Sequence, residues 1–88
     1  MKVEFRKSFQ KDLKKIKDSA LLKKIKSTIE EIEIAETIQQ INNLKFLKTE
    51  ANYYRIRVSD YRIGIYIDKD LVRFIRVLHR KEIYKYFP

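Results

Sequence analysis

The stretch that decides the fold is YYRIRVSDYRIGIY, residues 53–66. It holds two near-identical half-phrases, YRIRV and YRIGI, joined by Ser59-Asp60. Side chains alternate along a strand, so Tyr54, Ile56 and Val58 share one face of the first half. Tyr61, Ile63, Ile65 and Ile67 share one face of the second. A two-residue turn sets Val58 opposite Tyr61, Ile56 opposite Ile63 and Tyr54 opposite Ile65. The apolar faces then coincide, and a slip by one residue would put Ile63 and Ile65 in water, so the parity is strongly fixed. Ser-Asp is not a favoured pair for so tight a turn. A four-residue loop would keep the parity, whereas a three-residue loop with a bulge would alter the opposition.

The other face follows without further choice. Arg57 lies opposite Arg62, Arg55 lies opposite Gly64, and Tyr66 adds a flat ring further along. Like charges directly opposite each other cost up to about 1 kcal/mol. A sequence selected for stability alone would place Thr or Glu at one of these positions. Arginine is the planar, permanently charged fork that grips phosphate with two bonds, and no acid shares this face before Asp68. A phosphate-binding face accounts for both the residue type and the tolerated repulsion. Gly64 is the chain's one glycine, placed where glycine weakens a strand. It either admits a ligand backbone beside Arg55 or marks a bulge.

Outward from the hairpin, LVRFIRVL at 71–78 reads as a third strand after Lys69-Asp70. Gaps of two residues permit only antiparallel neighbours. Arg73 and Arg76 fall on opposite faces, Arg76 sharing parity with Val72, Phe74 and Leu78, so parity assigns neither to the arginine face. RKEIYKYFP is a short tail with room for one helical turn. Upstream, MKVEF alternates as a strand over 2–6. Phe9, Leu13 and Ile16 recur at helical spacing, and Leu21 or Leu22, Ile25, Ile29, Ile32 and Ala35 continue the stripe. KDS at 17–19 breaks the run, with Asp18 or Ser19 capping the second helix and Ser8 available to cap the first. Residues 36–52 lack a clean period and read as a connection pinned by Ile41, Leu44, Phe46 and Leu47. The expected fold class is α+β, in the order β-α-α-β-β-β. Two N-terminal helices pack on one face of a small, mainly antiparallel sheet, in a single domain over 1–88.

Composition narrows the chemistry. At 88 residues and 44% hydrophobic content the chain folds but cannot enclose a deep cofactor pocket. It has no cysteine and one histidine, which makes a poor transition-metal site; no metal or cofactor is expected. No apolar run approaches the roughly 20 residues of a membrane span, and the N-terminus lacks a signal-peptide core, so a cytoplasmic location is expected. The net charge of +9 favours a polyanion. Its type shifts along the chain: residues 1–52 carry eleven Lys and one Arg, residues 53–88 six Arg and three Lys. The phosphate site is therefore sought in the C-terminal half. Lys7, Lys11, Lys14, Lys15 and Lys17 form a separate basic surface on the first helix. His79 lies at a strand end beside Arg80, as the one side chain whose unperturbed pKa is near neutrality.

With these elements in order, the chain resembles the RelE/ParE superfamily of toxins from type II toxin-antitoxin systems, and specifically its RelE-type branch. The resemblance covers nearly the whole chain. It rests on the element order, on YYRIRVSDYRIGIY, and on VRFIRVLHRKEIY at 72–84. It implies a ribosome-dependent endoribonuclease, an mRNA interferase that cuts mRNA in the A site and is held inactive by a RelB-like antitoxin. The family's basic hairpin positions match Arg55 and Arg57, where some members have Lys. The basic residue opening the next strand matches Arg62, the arginine after the last strand Arg80, and the C-terminal tyrosine Tyr84. His79 falls where members carry either His or Lys. The ParE branch, which acts on DNA gyrase, shares the fold but usually lacks this basic and tyrosine set. A non-catalytic RNA-binding module is a further alternative.

The implied chemistry needs no metal. The RNA 2′-OH attacks the adjacent phosphorus in line, leaving a 2′,3′-cyclic phosphate and a 5′-OH. Arg57, Arg62 and Arg80 are the expected stabilisers of the phosphorane. Arg55 is well placed to accept a proton but stays protonated in proteins, so it is a poor base. His79 is a candidate base or acid. Tyr84 either stacks on a base, orients it or donates a hydrogen bond. The first-helix lysines are either a solvated helix back or, under the resemblance, contacts to ribosomal RNA. The exposed basic surface and the sheet margins suit an antitoxin that wraps the toxin.

Overall fold

A computed structural model describes residues 1–48 and 50–88. The elements are β1 (Lys2–Phe5), α1 (Lys7–Lys14), α2 (Ser19–Ile34), a 3-10 turn (Ile38–Gln40), β2 (Leu44–Phe46), β3 (Tyr53–Val58), β4 (Tyr61–Asp68), β5 (Leu71–His79) and α3 (Ile83–Tyr86). The five strands form one sheet in the order β1-β5-β4-β3-β2. Only the β1–β5 pairing is parallel. The segment 36–52, expected as a connection, contains β2; a three-residue strand is too short to show a period. Thr49, within that segment, lies outside the described residues.

Both hairpins turn on two residues, since Val58 pairs with Tyr61 and Asp68 with Leu71. Ser59 and Lys69 each take φ 56° to close them. A positive φ at the first loop residue matches the twist of the flanking strands, and here non-glycine residues accept it. The expected register is present throughout β3–β4. Asn43 (φ 62°) and Asn52 (φ 70°) turn the chain into β2 and β3, as short side chains that tolerate the left-handed region.

The helices cover one face. Phe9, Ile16, Leu21, Ile25, Ile32 and Ala35 pack on Ile56, Val58, Ile63, Ile65, Ile67, Val72, Phe74 and Val77 in one buried cluster. Phe5, Phe9 and Phe74 add a ring triplet with centroids 5.2–5.7 Å apart. Asp18 caps α2, its Oδ1 accepting from the backbone N–H of Ala20 (2.9 Å) and Leu21 (3.2 Å).

Ser8 does not cap α1. The N-cap is Arg6, without a side-chain bond, and Ser8 Oγ instead donates to the Ile75 carbonyl at 2.6 Å. This has a cause in the sheet. The β1–β5 ladder covers residues 71–74 of β5, so the edge beyond Phe74 has no strand partner on that side. Helix α1 substitutes for it. Arg6 N–H donates to Phe74 O (2.9 Å), Ser8 Oγ to Ile75 O, and Val77 N–H to Asp12 Oδ2 (3.1 Å). Edge groups that would otherwise solicit another chain are thereby satisfied. Asp12 is buried and also takes Arg76 in a bidentate pair, at 2.7 Å from Nε and 3.0 Å from Nη2. That hydrogen bond holds the Arg76 guanidinium even further above its ordinary pKa, against the opposing effect of burial.

The β4–β5 ladder contains an irregularity. Gly64 pairs with Arg76 and Ile65 with Phe74, leaving Ile75 as an extra residue. This corrects the parity expected for β5: beyond the bulge Val77, not Leu78, joins Val72 and Phe74 in the helix-side cluster. Leu78 and Ile75 pack on the opposite face with Leu47, Tyr53, Ile83 and Phe87.

Candidate functional site

The open face of the sheet is divided between two kinds of surface. At the Ser59-Asp60 end, Arg57 and Arg62 are direct cross-strand partners and Arg55 is level with Gly64. Arg55, Arg57, Arg62 and Tyr84, with Asn43 and Lys45, line a groove of about 350 Å³. Among the described residues the ion pairs are Arg73–Glu4 and Arg76–Asp12, so the three groove arginines have no carboxylate partner. Arg62 Nη1 donates to the carbonyls of Ser59 (3.2 Å) and Tyr61 (2.9 Å), which holds its guanidinium beside the turn. The concentration of unneutralised forks in one concave surface is suited to an anion with several acceptor oxygens.

The other part of the open face is covered by the C-terminal tail. Ile83 and Phe87 are buried against Leu47 while Tyr84 stays 69% exposed. The short α3 thus turns one side into the sheet and presents Tyr84 to the groove. The Arg55 guanidinium carbon sits 4.5 Å from the Tyr84 ring centroid, within cation–π range. Gly64 makes this seating possible: a Cβ there would meet Phe87 Cδ1 at 2.5 Å. Its neighbourhood is a bulge, as one expectation had it, but the space beside Arg55 is filled by Phe87 rather than left open for a ligand backbone.

Other expected site residues lie elsewhere. The bulge carries His79 onto the helix side, level with Tyr61, where the two rings meet edge-on at 5.7 Å. His79 Nδ1 accepts from Lys81 N–H at 3.2 Å, so the ring braces the turn that contains Arg80 and does not line the groove. Arg80 is exposed, and its N–H donates to Asp60 O (2.8 Å), which keeps its backbone at the groove end of the sheet. Tyr66 packs against Tyr53 (5.0 Å between centroids), with the Arg73 guanidinium carbon 5.7 Å from its ring, away from the groove lining. Lys7, Lys11, Lys14 and Lys15 are exposed on and just after α1, the helix that flanks β5, and take no part in the groove. Asn43 and Lys45 do line it, although sequence reasoning passed over them because the strand that carries Lys45 is only three residues long. Lysine pairing with Arg55 across β2–β3 is the signal that would have found it once β2 was recognised.

Comparison with known proteins accords with this architecture. Residues 3–84 match the family described as the ParE toxin of type II toxin-antitoxin systems, parDE. The chain is 48% identical over 89 residues to the toxin RelE3 of Methanocaldococcus jannaschii, covering all of both chains. It superposes on the RelB-RelE antitoxin-toxin complex of Methanococcus jannaschii with a TM-score of 0.81 and 46% identity, covering 96% of this chain and 98% of that one. For the intact RelBE toxin-antitoxin complex of E. coli the TM-score is 0.66 at 25% identity, covering 86% and 92%. A five-stranded sheet sealed by two helices, closed by a short C-terminal helix and matched over its full length at this identity, places the chain in the RelE/ParE superfamily of toxins, on its RelE-type side.

Proposed function

We propose that this toxin is a ribosome-dependent endoribonuclease that cuts mRNA in the A site and is neutralised by a RelB-like antitoxin. The observation that carries the reading is the groove in which Arg55, Arg57 and Arg62 lie beside Tyr84 with no carboxylate partner among the described residues. The 2′-oxygen of the RNA forms the new bond to phosphorus, the bond to the 5′-oxygen breaks, the 2′-OH loses its proton and the 5′-oxygen gains one. Arg57 and Arg62 hold the equatorial oxygens of the phosphorane, and Arg80 adds charge from the neighbouring turn. Arg55 orients Tyr84, whose exposed ring offers a stacking surface and whose hydroxyl adds a neutral hydrogen-bonding group to the groove. His79 serves as the brace for Arg80 rather than as the proton carrier. Among the described residues the groove is lined by no conventional base, which suits an enzyme whose geometry is completed on the ribosome.

The complexes recorded for related toxins support a RelB-like partner for this one, and the net charge of +9 favours acidic segments in that partner. The test is a translating extract with 5′-end mapping of mRNA, with and without ribosomes. New 5′ ends at codon positions only in ribosome-bound message, lost in Arg62→Ala, are the expected result. Intact mRNA with arrested DNA gyrase would favour the ParE reading, for which the matched family's description speaks. Salt-sensitive RNA association without new ends would leave a binding module.

A further inference from the structure

The groove does not end at the arginines. A second hollow of about 360 Å³ begins at Asn43 and Arg57, which line both, and runs onto α2 beside Lys23, Lys24 and Ser27. The connection exists because β2 is short. Its ladder with β3 starts at Leu44–Ile56, so Arg57 and Val58 extend past it, with only the Asn43 carbonyl reaching Arg57 N–H (3.2 Å). The sheet edge is therefore notched at the point where the arginine face meets the helix layer. Thr28, Glu31, Val58 and Ser59 complete the lining of the second hollow. Lys23 and Lys24 are exposed and, like the groove arginines, have no carboxylate partner among the described residues.

We infer that the single-stranded RNA flanking the reacting linkage leaves the arginine groove through this notch, its phosphates passing from Arg57 to Lys23 and Lys24. This rests on the RNA-cleaving reading above and deepens it. A flexible single strand can bend around the sheet edge at such a notch; a stiff duplex cannot. The contacts are to phosphate, so they lengthen the footprint without reading sequence. Acidic Glu31 limits the path at the end of α2's basic stretch.

The test measures binding of the purified chain to 2′-O-methyl single-stranded oligonucleotides by fluorescence anisotropy, which needs no cleavage and no ribosome. A nonamer is expected to bind more tightly than a trimer. In Lys23→Gln/Lys24→Gln that length advantage should vanish, and the slope of log K against log salt for the nonamer should fall by about 1.4, two contacts of about 0.7 each. Lys2→Gln/Lys69→Gln makes the same charge change at the far end of the sheet and should retain the advantage. A preserved length advantage in the α2 variant, equal losses in both variants, or equal binding of duplex RNA would each overturn the strand path. Failure of ribosomal cleavage with the length advantage intact would instead count against the enzymatic reading alone.

Discussion

The two faces of the sheet are built from the same strands by the same alternation, yet they meet opposite demands. On the helix side, Ile56, Ile63, Ile65, Val72 and Phe74 are almost completely buried in one apolar cluster. On the open side, Arg57 faces Arg62 across the ladder, and among the described residues no acid pairs with either. The first arrangement lowers free energy by removing apolar surface from water; the second raises it by bringing like charges together. The same strand residues thus separate what folds the chain from what the chain acts with. The comparison also locates the exception: Arg73 and Arg76 are arginines of β5 with structural partners, Glu4 and Asp12.

Substitutions break or sharpen that contrast in order of size. Asp12→Ala should cost about 3–5 kcal/mol in urea unfolding, because it leaves the Arg76 guanidinium and the Val77 N–H without their buried acceptor. A loss below about 1 kcal/mol would show that α1 does not close the β5 edge. Arg62→Ala should lower ribosomal cleavage about 10²–10³-fold without lowering the midpoint of unfolding, the signature of a residue that serves the open face alone. Gly64→Ala should destabilise by about 1–3 kcal/mol by colliding with Phe87. Trypsin should then cut after Lys85 in the loosened tail, and cleavage activity should fall with Tyr84 displaced from Arg55. Smallest, Arg57→Thr should stabilise the fold by up to about 1 kcal/mol while reducing activity, since it removes the repulsion across the hairpin. A destabilised Arg57→Thr would mean that the arginine pair contributes to folding after all.

Much of this architecture is legible in the residues because period-two alternation over β3 and β4 leaves one register that buries Ile63 and Ile65. The arginine face followed from the same parity. What stayed hidden depended on contacts between distant segments. The bulge at Ile75 has no local mark, because VRFIRVL is apolar on both sides of it; only the tail cluster of Ile83 and Phe87 gives Ile75 and Leu78 apolar partners on the open face. His79, read as a candidate base or acid beside Arg80, is carried by that bulge to the helix side, level with Tyr61. Ser8 looked like a cap because a serine near a helix start usually is one, whereas its partner lies 67 residues away. Gly64 announced that something approaches closely but not that the visitor is Phe87.

The N-terminal strand and helix have a consequence for biosynthesis. Their partners on β5 are 64 to 69 positions later in the chain, at Arg73, Ile75 and Arg76. Such wide loop closure slows folding and leaves little that can form from the first half alone. A nascent polypeptide must emerge almost to its last strand before its opening segment finds a home. The cationic cradle is completed later still, since Tyr84 follows β5 in the chain.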